Sequence, residues 1–151
     1  MEDSARLVDI VTAFDIEAES KSEAINQVVS KLFETGKLTN QEKFQQDVFD
    51  RESELSTYIG YGFGLPHAQS DAVQKATIGI GKLTKPVTWI DDKQVDFIFL
   101  IAVPTGGEEK LHLKILANLA RLLMHDDFRQ KLRTLPEQKV YKLLIDNQKK
   151  L

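Results

Sequence analysis

Three side chains stand where they could do chemistry: His67, His112 and Arg51. His67 closes the run Gly62-Phe63-Gly64-Leu65-Pro66-His67-Ala68. Pro66 cannot donate a hydrogen bond and biases the residue before it towards an extended conformation, so His67 is carried on a stiff backbone. The neighbouring glycines let another backbone or a phosphate come close. A neutral imidazole presented in this way can attack phosphorus and give a labile phosphoramidate. The same context also suits a partly buried, hydrogen-bonded histidine in a tight turn, and local sequence leaves both readings open.

His112 falls in the first turn of a helix expected over Glu109–Met124, on the face that carries Ile115, Leu116, Leu119, Leu122 and Leu123. It reads either as a satisfied core histidine or as a group beside a helix N-terminus, where unpaired N–H groups and the macrodipole favour anions. Arg51, in Asp50-Arg51-Glu52-Ser53-Glu54, is either a solvated helix-end charge or a guanidinium that forks onto phosphate oxygens. Each charge-assisted bond of the second kind contributes about 1.5–3 kcal/mol. His125, beside Asp126 and Asp127, reads as a cap or surface residue with no further role.

Other chemistries fail on spacing. Gly60-x-Gly62-x-Gly64 is followed by a proline where a Walker loop needs Gly-Lys-Ser/Thr, and it lacks the Gly-x-Gly-x-x-Gly of a dinucleotide site. The histidines show no zinc spacing, and there is no Gly-x-Ser-x-Gly elbow. With no cysteine in the chain, disulfides, thiolate metal sites, iron–sulfur clusters and thiol nucleophiles are excluded. Neither a cofactor nor a metal is expected.

The elements that must position these residues come from a chain of 151 residues with 42% hydrophobic and 28% charged side chains. That is an ordinary globular composition and fits one domain, 1–151. With 20 basic against 23 acidic residues and a net charge of −3, general nucleic-acid binding is not expected. The longest apolar run is only Phe97 to Val103, against the roughly 18 residues of a membrane span. The start, Met1-Glu2-Asp3-Ser4, lacks the pattern of a signal peptide, so the expected compartment is the cytoplasm.

Val8–Phe14 reads as a strand. Ser20 and Glu23 form a capping box that opens a helix ending at Gly36, and a second helix runs from Thr39 or Asn40 to about Arg51-Glu52. Thr57–Pro66 suits an extended, bulged segment. Ala76–Leu83 is expected as a strand, Pro86–Ile90 as an edge strand with a turn, and Val95–Val103 as a strand covered on both faces. Asp126–Leu135 and Pro136–Asn147 add two amphipathic helices. The pattern predicts an α/β fold, a mixed sheet flanked by helices on both faces.

The run Arg51-Glu52, Thr57-x-Ile59-Gly60-x-Gly62-Phe63-Gly64-Leu65-Pro66-His67-Ala68 resembles the active-site region of the fructose/mannitol-type enzyme IIA domain of the sugar phosphotransferase system. Phe97–Pro104 followed by Leu111-His112-Leu113 is similar to that family's second hallmark, and the resemblance covers essentially the whole chain. It implies that His67 accepts a phosphoryl group on Nε2, that His112 helps position and stabilise that group, and that Arg51 helps neutralise it. It also implies HPr as phosphoryl donor and a cysteine of an enzyme IIB as acceptor, with sugar phosphorylated through a membrane enzyme IIC. Nitrogen-related relatives instead regulate other proteins through the same histidine, so a regulatory module is the alternative. Gly64 departs from the family's more usual alanine while staying small. Phosphoryl exchange between proteins predicts an exposed nucleophile in a shallow site, with an apolar rim that includes Phe63 and Leu65. Lacking cysteine and a membrane span, the chain is expected to be a separate carrier with both exchange partners on other chains.

Overall fold

The apolar run around Phe97–Val103 organises the molecule. The computed structural model describes residues 8–106 and 110–148, the side chains of His112 and Gln148 excepted. The elements in chain order are β1 (Asp9–Ile16), α1 (Lys21–Glu34), α2 (Gln41–Glu54), β2 (Tyr58–Gly60), β3 (Phe63–Gly64), β4 (His67–Ser70), β5 (Thr77–Ile90), β6 (Lys93–Pro104), α3 (Leu111–Leu123), α4 (Asp126–Thr134) and α5 (Glu137–Gln148). Along β6, Phe97, Phe99, Ile101 and Val103 enter one core while Ile98, Leu100 and Ala102 enter the other. This alternation is what a strand buried on both faces requires.

The sheet is mixed, in the order β1-β5-β6-β3-β2, with β4 also paired to β6. β5 and β6 form an antiparallel hairpin, whereas β1 runs parallel to β5. On its other edge β6 takes two short parallel strands in succession, β3 opposite Phe97 and Ile98, then β4 opposite Ile101 to Pro104. Pro66 sits between them, and its carbonyl accepts from Ile101 N at 2.9 Å. Helices α1 and α2 cover one face through Ile25, Val28, Leu32, Phe44 and Val48. Helices α3, α4 and α5 cover the other through Ile115, Leu119, Phe128, Leu132 and Val140. The expected α/β architecture, helices on both faces of a mixed sheet, is the one observed.

Local signals largely hold. The Ser20 hydroxyl accepts from Glu23 N at 3.2 Å, while the Glu23 carboxylate reaches one residue further back than expected, to Glu19 N at 2.8 Å. Gly36 follows α1 with φ +81°, and Asn40 caps α2 by accepting from Lys43 N. Two expectations need correction. The stretches around Ala76–Leu83 and Pro86–Ile90 are one strand, β5, whose register against β6 shifts between Lys82 and Val87. Pro86 is tolerated there because β1 ends opposite Leu83 and the β6 register passes from Lys82 to Val87 without pairing it, so neither neighbouring strand requires its missing N–H. Helix α3 begins at Leu111 after Lys110 at φ +65°, later than expected; Glu109 lies outside the described residues. Among the described residues no helix is long and apolar enough to cross a membrane.

Candidate active site

The site forms where the sheet has an edge. Among the described residues strand β4 pairs with β6 alone, so elements from the two faces can converge beside it. Register places His67 level with Ile101 and Ala68 level with Ala102. Ile101 belongs to the α3 core and Ala102 to the α2 core, so His67 falls on the α3 side and Ser70 on the α2 side. Helix α2 lies against β4. Asp47, Asp50, Arg51 and Glu54 from the helix, with His67, Ala68 and Gln69 from the strand, line one open depression of about 310 Å³.

The imidazole of His67 is oriented by its own backbone. Its Nδ1 lies 3.0 Å from the carbonyl oxygen of Leu65. A carbonyl only accepts, so Nδ1 carries the proton and, in the neutral ring, the lone pair belongs to Nε2. The expectation of an exposed nucleophile is corrected here, because His67 is only 7% exposed. The nucleophile is a mostly buried ring at the wall of an open depression.

Arg51 stands in the last turn of α2, where a cation complements the helix dipole. Its contact with Glu54 is long, 3.9 Å, on the solvent side of the helix. One turn earlier, Asp47 is held far more firmly. Lys43 Nζ donates to both its oxygens at 2.7 and 2.9 Å, and the Ser70 hydroxyl donates to Oδ2 at 2.6 Å. Burial alone would raise the Asp47 carboxyl, but these bonds outweigh it and hold the group below the usual carboxylate value. Asp50 accepts from Gln46 Nε2 at 2.9 Å.

Helix α2 is also tied to the chain that follows it. Buried Glu52 accepts from Thr57 N at 3.0 Å, from Thr57 Oγ1 at 2.8 Å and from Lys21 Nζ at 2.7 Å. The ammonium of Lys21 lies over the Trp89 ring, 4.8 Å from its centroid. Glu52 is thus a buried carboxylate satisfied from two directions, fixing the end of α2 against the strand that leads to His67. Sequence reasoning assigned Glu52 and Thr57 no task. A signal was available, since an acidic side chain in a helix's last turn opposes the dipole and needs a compensating partner.

His112 falls in the first turn of α3, the helix that covers β6 and reaches β4; its side chain lies outside the described residues. His125 is the N-cap of α4 and makes no side-chain cap bond. Phe63 and Leu65 are not a rim: they are 0% and 2% exposed. Phe63 packs on Phe97 and Phe99 at centroid distances of 5.4 and 6.1 Å. Phe63 pairs with Phe97 of β6, Leu65 N donates to the Thr57 carbonyl at 3.1 Å, and both side chains enter the core. The exposed large apolar side chains on adjoining elements are Leu55, Ile59 and Leu113. Gly64 is more than small. A Cβ there would stand 2.8 Å from the Trp89 ring, so in this chain the indole occupies the space an alanine would need.

Known proteins resemble this one along most of its length. The family model described as phosphoenolpyruvate-dependent sugar phosphotransferase system, EIIA 2, matches residues 8–147. A protein named fructose-specific EIIA component from Haloferax volcanii is 36% identical over 115 residues, 75% of this chain and 74% of that protein. A fructose-specific EIIABC component from Bacillus subtilis is 32% identical over 120 residues, 78% of this chain but only 19% of that longer protein. Among solved structures, the nitrogen regulatory protein IIA-Ntr of Neisseria meningitidis superposes with a TM-score of 0.75 at 26% identity, covering 89% of this chain and 91% of that one. Enzyme IIA of the mannitol system of Escherichia coli, in complex with phosphorylated enzyme IIB, shares the fold with a TM-score of 0.74 at 22% identity, covering 91% and 94%.

Proposed function

The chain belongs to the EIIA type 2 family of the phosphoenolpyruvate-dependent sugar phosphotransferase system, and within that phosphocarrier role we propose that His67 carries the phosphoryl group. The donor is the phosphohistidine of HPr, and the acceptor is a cysteine of an enzyme IIB that serves a membrane enzyme IIC in fructose- or mannitol-type uptake, in the cytoplasm. One observation carries this reading: His67, its proton placed on Nδ1 by the Leu65 carbonyl, shares a single open depression with Arg51.

The chemistry follows from that geometry. The Nε2 lone pair attacks phosphorus as the donor's N–P bond breaks, and the donor imidazole leaves with the bonding electron pair. In the second step a partner thiolate attacks phosphorus, and His67 leaves in turn. Neither step needs a base at the moment of attack, because the attacking nitrogen of the first carries no proton and the attacking sulfur of the second is already a thiolate. The transferred group brings about 1.5–2 negative charges, by analogy with phosphorylated hydroxyl residues. Arg51 offsets part of that charge, and His112 positions the group from the α3 side. Low exposure of His67 limits attack by water on the intermediate.

Incubation with phosphoenolpyruvate, enzyme I and HPr should place acid-labile phosphate on His67, and His67→Ala should take none. Label that survives that substitution, or no label on the wild-type chain, would overturn the proposal. A second reading is supported by the likeness to the Neisseria nitrogen regulatory protein: the phosphorylated state would then control binding to another protein. Failure of the phosphorylated chain to pass its group to any enzyme IIB would favour it.

A further inference from the structure

We infer that Asp47 and Ser70 are positioning residues for phosphoryl transfer, acting through Arg51; the inference rests on the proposed role of His67. Among the described residues Arg51 has no firm anchor of its own, its Glu54 contact being 3.9 Å long. Its place over the depression therefore depends on where α2 lies. Asp47 and Arg51 are four residues apart and share one face of that helix, and both line the depression. Ser70 follows His67 on the same strand. The 2.6 Å bond from Ser70 Oγ to Asp47 Oδ2 therefore joins the element that carries the cation to the element that carries the nucleophile.

Two details make this bond specific. The Ser70 hydroxyl accepts from Ala72 N at 3.1 Å, which directs its one proton towards Asp47. Among the described residues strand β4 pairs with β6 alone, so no second described strand fixes its outer edge, and the link to α2 supplies that restraint. Lys43 and Ser70 together also offset the Asp47 charge, which would otherwise repel an incoming phosphoryl group. The carboxylate can then serve as an anchor inside a site that must accept an anion.

The test is single-turnover transfer from phosphorylated HPr to the full chain. Ser70→Ala should slow transfer about tenfold, as expected when a reacting pair is held less closely, and Ser70→Thr, which keeps the hydroxyl, should stay within about twofold of wild type. The decisive comparison is in an Arg51→Gln background, where Ser70→Ala should cost less than about twofold, because the group it positions is gone. A simple folding defect would cost the same in both backgrounds. Should Ser70→Ala fail to fold, Asp47→Asn, nearly isosteric, takes its place, with the same dependence on Arg51 expected. Equal losses with and without Arg51, or no loss on phosphorylatable wild-type background, overturn the inference alone. A wild-type chain that accepts no phosphoryl group overturns the proposed function, and this inference with it.

Discussion

The segment from Thr57 to Ser70 has arginines at both ends, and the two ends use them differently. At the tip between β2 and β3, Arg133 donates to the Tyr61 carbonyl at 2.8 Å and pairs with Asp96 at 2.6 Å, with its guanidinium 4.4 Å from the Phe63 ring centroid. Arg129 stacks 3.7 Å from the Tyr61 ring centroid and donates to the Leu123 carbonyl and to Asp126. Those guanidiniums are committed to holding the hairpin on α4. At the His67 end, Arg51 keeps one loose ionic contact among the described residues. A committed guanidinium supplies stability. A loosely held one beside a nucleophile is available to bind something else.

The sharpest way to break this contrast is to neutralise each cation. Arg51→Gln should lower the transfer rate about 10²-fold, the scale for removing one preorganised charge-stabilising donor. Its melting temperature should move by no more than about 2–4 °C, because an exposed pair contributes about 0–1 kcal/mol. Arg133→Gln should do the reverse, since it removes an ion pair, a carbonyl bond and a ring contact together. Stability should fall by about 2 kcal/mol, roughly 4–8 °C in Tm, with the transfer rate of folded protein nearly unchanged. Thermal melts and single-turnover rates on the two variants decide the matter. If Arg51→Gln proves mainly destabilising, the proposed division fails.

How much of this was legible in the sequence follows the same division. Periodicity and turn chemistry are local, so the helices, the sheet class and the cap at Ser20 could be read directly. Arg51 and His67 were legible as candidates because their residue types and neighbours are unusual. The Ser70–Asp47 and Glu52–Thr57–Lys21 links were not, since they depend on how α2 settles against β4 and α1, which no single window of sequence contains. The same holds for Phe63 and Leu65. Beside glycines and a proline they look like a rim, but with Phe63 paired to β6 and Leu65 bonded back to Thr57 both side chains enter the core. Local sequence left the burial of His67 open for a related reason, because β6, which pairs with its strand, lies distant in the chain.

Between the two ends sits Gly64, where the contrast can be sharpened by packing instead of charge. Gly64→Ala places a methyl carbon 2.8 Å from Cζ2 of Trp89, and the buried indole must shift. The expected cost is about 1–3 kcal/mol, the range for overpacking a well-filled core. In a Trp89→Phe background the smaller ring leaves room, and the same substitution should cost less than half as much. Chemical denaturation of the four proteins of this cycle gives the coupling. Additive costs would show that Trp89 is not what makes glycine necessary here.

The smallest effect tests whether Asp47 belongs with the committed charges despite lining the site. Burial opposes its ionisation, yet the bonds from Lys43 and Ser70 hold its carboxyl below the ordinary value of 3.8. A carboxyl lowered by folding adds stability that is fully present above the unfolded value and is lost as pH falls through the folded one. Asp9 is the same kind of group at the far edge of the sheet. Burial opposes its ionisation too, and Lys37 and Lys75 hold it low. Wild type and Asp47→Asn should therefore differ by a constant amount in Tm at neutral pH, at most about 2–4 °C for a solvent-screened pair. The difference should shrink as pH drops below the ordinary carboxylate value, where the unfolded carboxyl takes up its proton, and be lost as pH falls through the lower folded value. An Asp9→Asn variant should give the same shape of curve. A difference that persists unchanged to pH 2 would mean the Asp47 charge does not hold α2 to β4, and that only its shape matters at the His67 end.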